Sequence, residues 1–271
     1  MKKPPTTSKK SLTSESVRRV VVLPDMHVRS DHGRVRGVDL RAWAAVRAYM
    51  KANGPWDEVV NLGDFMDFGC ISDHNANNLR AVENKTVAAD YEAGNRILNE
   101  IIDASPGARQ TLLEGNHEYR VERYINKFPQ LAGSIEVPRG LHLAERGVRW
   151  VRSWSRGEVY RIGKAAFIHG DAVNDFHCKK NVVSYGENIF TGHMHDIQCY
   201  SLSTKGDNRT RVGQSLGCLC EYDQDYMKRR PNRWQQCFAV FFFLPNNFFN
   251  YYVSNIYSGQ FVGIDGRVYG K

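Results

Sequence analysis

The sequence has no apolar run near the roughly 18 residues that a membrane-spanning helix needs. Its most apolar stretch, CFAVFFFLP, is only as long as one strand. The N-terminal segment MKKPPTTSKKSLTSES also lacks the apolar core that a secretory signal carries. We therefore predict a soluble, cytoplasmic protein without a membrane partner.

Cysteine is scarce, and its spacing is uninformative. The six cysteines are scattered, and the only close pair, Cys218 and Cys220, lacks the two-residue gap of a zinc knuckle. Reduced thiols in a cytosolic protein are therefore favoured over disulfides or a knuckle. Internal repeats and long low-complexity tracts are absent as well.

Basic charge is concentrated at the N-terminus. Residues 1–19 hold six Lys or Arg against one Glu, a net of +5 out of the total +8, which leaves +3 for the rest. We predict a flexible basic arm over residues 1–17 and a single domain over 18–271. General attraction to polyanions would come mostly from the arm. A second basic cluster at 227–234 is interpreted as a solvated loop.

The first half of the chain alternates strand and helix patterns. VRRVVVLPD, DEVVNLGD and ARQTLLEGNHE predict strands. DLRAWAAVRAYMKANGP predicts a helix with Asp39 as N-cap and Leu40, Trp43, Val46 and Met50 on its apolar face, and KTVAADYEAGNRILNEIIDASPG predicts a second helix. This β-α-β-α-β order predicts a parallel sheet, in which functional sites form beyond the carboxyl ends of strands.

After about residue 145 the pattern changes to short strands joined by turns. VRWVRSWSRGEVYRIGKAAFIHGD predicts consecutive strands with GK as a turn. FAVFFFLPNNFFNYYVSNIY and QFVGIDGRVYG predict strand-turn-strand units around NN and DG. The aromatic residues here are interpreted as sheet core, in preference to a platform for stacking nucleic-acid bases.

Polar side chains follow five of these strands. One such residue alone is ordinary, because Asp and Asn are common turn formers and a single His usually packs. Nothing structural requires Asp, Asn and His to recur at five strand ends, so we predict that they share a site. The segments are PDMH with Asp25 and His27, LGDFMD with Asp64 and Asp67, EGNHE with Asn116 and His117, FIHGD with His169, and TGHMH with His193 and His195.

Carboxylates mixed with imidazoles suit borderline divalent ions such as Mn, Fe or Zn. The candidate ligands are too many for one such ion. Two metals roughly 3.5–4 Å apart need a bridging carboxylate, and they can clamp the attacking and leaving oxygens of a displacement at phosphorus. His193 and His195 are two residues apart, which in a strand turns both rings to one side, where each could bind a different metal.

As an ordered set, these segments resemble the motifs of the calcineurin-like metallophosphoesterases. The resemblance implies an α/β fold, a four-layer α/β/β/α sandwich of two mixed sheets flanked by helices. It also implies hydrolysis of phosphate esters with two divalent metal ions, Mn being favoured and Fe, Zn or Ni the alternatives. The matching motifs are Asp25-x-His27, Gly63-Asp64-x-x-Asp67, Gly115-Asn116-His117-Glu118, His169-Gly170 and Gly192-His193-x-His195.

The resemblance also implies a role for each residue. A hydroxide that bridges the metals would attack phosphorus, and His117 would face the substrate and protonate the departing alkoxide. Asp67 would orient a metal ligand, with a turn-stabilising carboxylate as an equal alternative. The implied ligands are Asp25, His27 and His195 for the first metal, Asn116, His169 and His193 for the second, and Asp64 for both.

One position departs from a branch of the family. Phosphoprotein phosphatases carry an Arg where this chain has Phe68, and a benzyl ring cannot replace a guanidinium that clamps phosphate. Arg120 could supply that cation, although we favour a solvent-exposed helix residue. Since GDFMD is similar to DNA-repair nucleases and small phosphodiesterases, we predict a phosphodiesterase, with DNA or RNA as candidate substrates whose binding the basic arm would make salt-sensitive.

Two alternative functions remain. One is a catalytically inactive nucleic-acid-binding or scaffolding protein on the same fold, which should show broken ligand positions, whereas none is broken here. The other is a phosphoprotein phosphatase, which Phe68 disfavours. Three further histidines, His32, His74 and His177, are predicted to be ordinary loop residues.

Overall fold

A computed structural model describes residues 17–75, 77–206, 209–224 and 232–270. Residues 1–16 of the predicted arm and 227–231 of the second basic cluster lie outside the described residues. Within the described ranges, the helices are α1 (Leu40–Asn53), α2 (Val87–Ala104), α3 (Tyr119–Lys127), α4 (Val137–Gly140), α5 (Ser153–Arg156) and α6 (His177–Tyr185). Short 3-10 helices span Gly69–Ile71, Asp73–Asn75, Leu79–Val82 and Pro129–Leu131.

The strands build two main sheets and two small hairpins. They are β1 (Arg18–Leu23), β2 (Arg29–Asp31), β3 (Arg34–Arg36), β4 (Glu58–Asn61), β5 (Arg109–Leu113), β6 (Arg149–Val151), β7 (Tyr160–Ile162), β8 (Ala165–Ile168), β9 (Asn188–Thr191), β10 (Cys199–Ser203), β11 (Thr210–Ser215), β12 (Cys237–Phe243), β13 (Phe249–Asn255), β14 (Phe261–Val262) and β15 (Val268–Tyr269). The larger sheet has the order β13-β12-β1-β4-β5-β6, and the smaller has the order β10-β11-β9-β8-β7.

The predicted β-α-β-α-β start is confirmed. Strands β1, β4 and β5 pair in parallel, with α1 and α2 as the crossovers between them. Asp39 caps α1 by accepting hydrogen bonds from the backbone N–H groups of Arg41 and Ala42. Leu40 was predicted on the apolar face but is 45% exposed, because it is the first helical residue and the buried face begins only at Ala42.

The predicted turns are confirmed, with one correction. Antiparallel pairs β7/β8, β12/β13 and β14/β15 enclose the GK, NN and DG turns. The stretch Ser153–Arg156, predicted as part of consecutive strands, is instead the short helix α5. The Glu114 carboxylate accepts hydrogen bonds from the N–H and hydroxyl of Ser155, which stabilises the helical turn against an extended strand.

Alternate residues of the central strands face different apolar clusters. On β1, Val20 and Val22 pack between the two sheets with Phe190 and Phe241, whereas Val21 and Leu23 face the side covered by α1 and α2. On β8, Ala166 and Ile168 pack in a third cluster with Val182 of α6. The aromatic residues of the second half are therefore mainly core, as predicted, although Phe248 and Tyr252 are exposed.

All six cysteines are free thiols, which agrees with the interpretation of reduced cysteines. No helix among the described residues is long and apolar enough to cross a membrane.

The aromatic packing between the sheets gives a test of the fold. Phe190 is fully buried and its ring contacts those of Phe167 and Phe241. We expect Phe190→Ala to lower the free energy of unfolding by about 3–5 kcal/mol, because the lost ring leaves a cavity. Phe176→Ala removes a ring that is 72% exposed and should change the free energy of unfolding by less than about 0.5 kcal/mol. Urea denaturation measures both, and equal losses would contradict this packing.

Candidate metal centre

The five polar segments meet where strands of both sheets end. Asp25 follows β1, Asp64 follows β4 and Asn116 follows β5 of the larger sheet. His169 follows β8 and His193 follows β9 of the smaller sheet. Parallel strands place their carboxyl ends at one edge, and the packing of the two sheets brings the two edges together.

Asp64 lies between two groups of histidines. Its Oδ2 is 3.7 Å from His27 Nε2, and its Oδ1 is 3.4 Å from His169 Nε2. Oδ1 also accepts a hydrogen bond from the backbone N–H of His117 at 2.8 Å. Each carboxylate oxygen therefore faces a different cluster.

The first cluster contains Asp25, His27, Asp64 and His195. One ligand atom from each lies within 4.8 Å of the others, and all four residues are buried. His195 Nε2 is 3.1 Å from His27 Nε2 and 3.3 Å from Asp25 Oδ1. This is the set that the family resemblance implies for the first metal, with Asp64 as the shared ligand.

The second cluster contains Asp64, His169 and His193, whose ligand atoms also lie within 4.8 Å of one another. Asn116 Oδ1 is 3.0 Å from His169 Nε2, and His193 Nδ1 is 3.2 Å from the same nitrogen. His193 and His195 therefore face different clusters. They lie in the loop after β9 with φ of 70° and 60°, so the strand alternation inferred from their spacing does not apply.

Partners outside the clusters orient the rings. The Nδ1–H of His169 donates to the carbonyl of Leu62 at 2.9 Å, which leaves Nε2 facing the second cluster. Asp67 Oδ1 lies 3.5 Å from His27 Nδ1, which likewise turns His27 Nε2 to the first cluster. Asp67 thus contacts a candidate ligand, and its role in orienting that ligand stays a prediction.

The donor set fits divalent metal ions. Burial opposes ionisation of Asp64, yet the neighbouring His117 and His169 hold its pKa well below the usual range. Burial also opposes protonation of His169, but the Asp64 carboxylate raises the pKa of His169 to about 9. Buried carboxylates that draw protons onto adjacent imidazoles provide a site where cations can take the place of those protons. Two carboxylates, four imidazoles and one amide oxygen suit Mn, Fe or Zn.

His117 lies beside both clusters, with its ring 4.3 Å from that of His27. Its Nδ1–H donates to the carbonyl and carboxylate oxygens of Asp67, each at 3.0 Å. Its Nε2 is 2.9 Å from Arg120 Nη2. Burial lowers the pKa of His117 to about 4, so the ring is neutral at pH 7 and Nε2 accepts from the guanidinium.

The structure corrects the interpretation of Arg120 that was made from the sequence. It is not a solvent-exposed helix residue, since its side chain is only 15% exposed and donates to the Asp67 carbonyl at 2.7 Å. The first turn of α3 aims the guanidinium back at the strand ends. Phe68, which stands where phosphoprotein phosphatases carry an Arg, is fully buried, and its ring centroid lies 5.1 Å from that of Tyr91.

His177 also differs from its predicted role as a loop residue. It is the first residue of α6, is 1% exposed, and its Nε2 lies 3.1 Å from Asp196 Oδ1. Because Asp196 follows His195, this pair ties α6 to the loop that carries the two cluster histidines. His32 and His74 are exposed, and His74 lies in a 3-10 helix beside the site.

Two residues near the clusters, Glu118 and Cys220, were given no role in the sequence analysis. The Glu118 carboxylate is buried and accepts hydrogen bonds from the backbone N–H groups of Asp64, Met66 and Gly115, which shapes the Asp64 loop. Burial, reinforced by the Asp64 charge, raises the pKa of Glu118 to about 8. The sequence did contain a sign of this residue, because Glu118 is the last residue of the GNHE motif. Cys220 Sγ lies 4.0 Å from His195 Nδ1, for which the sequence offered no signal.

The glycines of the motifs are required by close approach. A Cβ at Gly115 would overlap the Asp64 carboxylate, and one at Gly192 would overlap the Asp25 carboxylate. The backbone also adopts left-handed φ values at His27 and Asp64, 52° and 45°, which L-residues rarely adopt. Such strain is tolerated where surrounding structure holds it, and it clusters at functional sites.

Comparison with solved structures finds similarity to Vps29 of Chaetomium thermophilum, with a TM-score of 0.42 and 9% sequence identity, covering 93% of this chain and 94% of that chain. It also finds similarity to the NAD nucleotidase NadN of Haemophilus influenzae, with a TM-score of 0.41 and 10% identity, covering 94% of this chain and 54% of that chain. No family model and no curated protein matches the chain. Both TM-scores are low, so these likenesses decide neither family nor activity.

The overlap at Gly192 gives a test of the site's packing. We expect Gly192→Ala to lower the free energy of unfolding by about 1–3 kcal/mol, because the added methyl group displaces the buried Asp25 carboxylate. At Gly206 nothing lies within 4 Å of an added Cβ, so Gly206→Ala should be neutral or stabilise by up to about 1 kcal/mol. Urea denaturation of both variants measures this, and the same effect at both positions would rule out the close approach.

Proposed function

We propose that this chain is a binuclear metal-dependent phosphoesterase that favours phosphodiesters, with DNA or RNA among its candidate substrates. One observation carries the proposal: the buried Asp64 carboxylate turns one oxygen to each of two adjacent clusters of metal-ligand type. A shared carboxylate is what two neighbouring cations need. The apolar clusters between the sheets and beneath the helices support a four-layer α/β/β/α sandwich as the scaffold.

The ligands divide as the two clusters do. Asp25, His27 and His195 would hold one cation, Asn116, His169 and His193 the other, and Asp64 both, with Mn favoured. Two divalent cations bound there would supply Lewis-acid stabilisation of the charge that develops on the phosphoryl oxygens.

His117 and Arg120 would act at the leaving group. With Nδ1–H bonded to Asp67, the His117 atom that would reach a substrate is Nε2, once a phosphate oxygen has drawn the Arg120 guanidinium away from it. An anionic phosphate beside the ring raises its pKa, so Nε2 can take up a proton and donate it to the departing oxygen. The Arg120 guanidinium, at the same nitrogen, would hold a phosphate oxygen and so supply the cation that Phe68 does not.

Two cavities beside Arg120 support a diester. One, of about 370 Å³, adjoins Asp67 and Arg120, and the other, of about 550 Å³, adjoins Arg120, Asn116 and Trp154. A monoester carries one organic group, whereas a diester carries two, and each cavity would receive one of them.

Metal titration tests the ligand assignment. We expect wild-type protein to bind two equivalents of Mn²⁺, Asp64→Ala to weaken both, and His193→Ala to weaken one, each by at least about tenfold. Calorimetry and metal analysis after dialysis measure this. His32→Ala is the matched control, since that side chain is 80% exposed, and should retain both equivalents. If His193→Ala kept both at full affinity, the assignment of the second metal would be wrong.

Hydrolysis of bis(p-nitrophenyl) phosphate with Mn, Fe, Zn or Mg tests the activity. We expect His117→Ala to lower kcat by about 10²–10⁴-fold while the metal content holds, because proton donation is lost but no ligand is. His32→Ala should leave kcat unchanged.

Two outcomes count against the proposal. Loss of metal with His117→Ala would make His117 a ligand and not a proton donor. The second is a complete lack of hydrolysis with all four metals, tested on bis(p-nitrophenyl) phosphate, p-nitrophenyl phosphate, single-stranded and duplex DNA, and RNA. The proposal of an enzyme would then be wrong, and the alternative of a catalytically inactive binding protein would remain.

A further inference from the structure

The cavity of about 370 Å³ is placed to receive part of a substrate. It lies between Arg29 of β2, Asp90 of α2, Arg120 of α3 and the 3-10 helices after β4. Its volume is at the small end of the roughly 300–1,000 Å³ range of small-molecule pockets. It therefore suits a compact organic group and not a folded partner.

The cavity lies next to the candidate proton donor, His117, whose ring is separated from it by two lining residues. Asp67 and Arg120 both line it, and both contact the ring of His117. A leaving oxygen in reach of His117 Nε2 would thus carry its organic group toward this cavity. The cavity of about 550 Å³ shares Ser72, His74 and Arg120 with the first one. It extends to Asn116 and Trp154 and would receive the other ester group.

The lining is polar, with only small apolar surfaces. Ser72, Asn75 and Asn78 offer a hydroxyl and two amides, whereas Ala81 and Val82 offer the aliphatic part. Hydroxyl-rich groups find hydrogen-bond partners here, such as the Asn78 amide, whereas an alkyl chain could not hydrogen-bond with them.

A buried carboxylate adds to this polarity. Asp90 is 3% exposed, its Oδ1 accepts from the backbone N–H of Ser30 at 2.8 Å, and its Oδ2 lies 3.6 Å from the Cys70 thiol. The weak thiol contact leaves Oδ2 with capacity for a stronger donor, such as a sugar hydroxyl.

The segment that forms this wall is unusually long. The connection from β4 to α2 runs over residues 62–86, whereas most connections are under about 12–15 residues and longer ones are usually functional. Its described residues are held in place: Asp73 binds Arg123 and Lys127 of α3, and Asn75 Nδ2 donates to the Gly69 carbonyl at 2.9 Å. The first part of the wall is therefore held in place by the protein's own contacts.

We propose that this cavity is the subsite for the leaving alcohol, and that it selects phosphodiesters whose leaving group is a compact, sugar-containing alcohol, such as a nucleoside. The substrate part of this inference rests on the proposed hydrolase function, whereas the binding of the alcohol does not.

Binding of the free alcohol tests the subsite without activity. We expect thymidine or methyl glucoside, but not hexanol, to give saturation-transfer NMR signals with the metal-free protein. Ala81→Trp should fill the cavity and abolish them, whereas Ala52→Trp, at an exposed position of α1, should retain them. Asn78→Ala should weaken binding about twofold to tenfold, because one hydrogen bond to the alcohol is lost. If Ala81→Trp does not fold, this second variant tests the subsite.

The two alcohols distinguish a nucleoside from a simple sugar. No binding of either one, or equal weakening by Ala81→Trp and Ala52→Trp, would overturn the subsite.

Measurements of turnover then test whether this cavity selects the substrate by its leaving group. We expect Ala81→Trp to lower kcat/KM for thymidylyl-(3′→5′)-thymidine relative to bis(p-nitrophenyl) phosphate by at least about tenfold, because the leaving nucleoside loses its place. An unchanged ratio, with the alcohol still bound by wild-type protein, would overturn the assignment to the leaving group. If wild-type protein hydrolysed neither these substrates nor any of those named for the proposed function, with binding intact, the hydrolase would be overturned and an alcohol-binding cavity would remain.

Discussion

The site depends on burying the Asp64 carboxylate among imidazoles. An isolated buried charge is costly, and here the cost is offset because both oxygens face histidines from distant segments and one accepts the His117 N–H. Glu118 binds three backbone N–H groups around the Asp64 loop, and Gly115 leaves room for the carboxylate. Removing these supports would move the one group that both clusters share.

This arrangement is held by a scaffold that tolerates local strain. His27, Asp64, His193 and His195 all have left-handed φ values, each costing on the order of 1–3 kcal/mol. The aromatic packing between the sheets, as at Phe190, supplies the stability that maintains them. The geometry of the polar strand ends therefore depends on the apolar interior, because the same sheets bury the aromatic rings and bring the strand ends together.

Arg120 places a positive charge closer to the clusters than the favoured interpretation of a solvent-exposed residue allowed. Phe68 stands where phosphoprotein phosphatases carry an Arg, and its ring packs on Tyr91. The Arg120 guanidinium lies beside His117 instead, and its helix starts at a different strand end. The same guanidinium borders the cavity proposed for the leaving alcohol, so one residue joins the reacting centre to the pocket that would select the substrate.

The parallel strands, the two crossover helices, the hairpin turns and the five convergent segments could all be predicted from the sequence, because they depend on local periodicity, turn residues and residue type. Four features could not: the inward direction of Arg120, the hydrogen bonds of Glu118 to the Asp64 loop, the pairing of His177 with Asp196 and the cavity after β4. These depend on contacts between segments far apart in the chain, and a side chain's direction across such a contact leaves no periodic trace in the sequence.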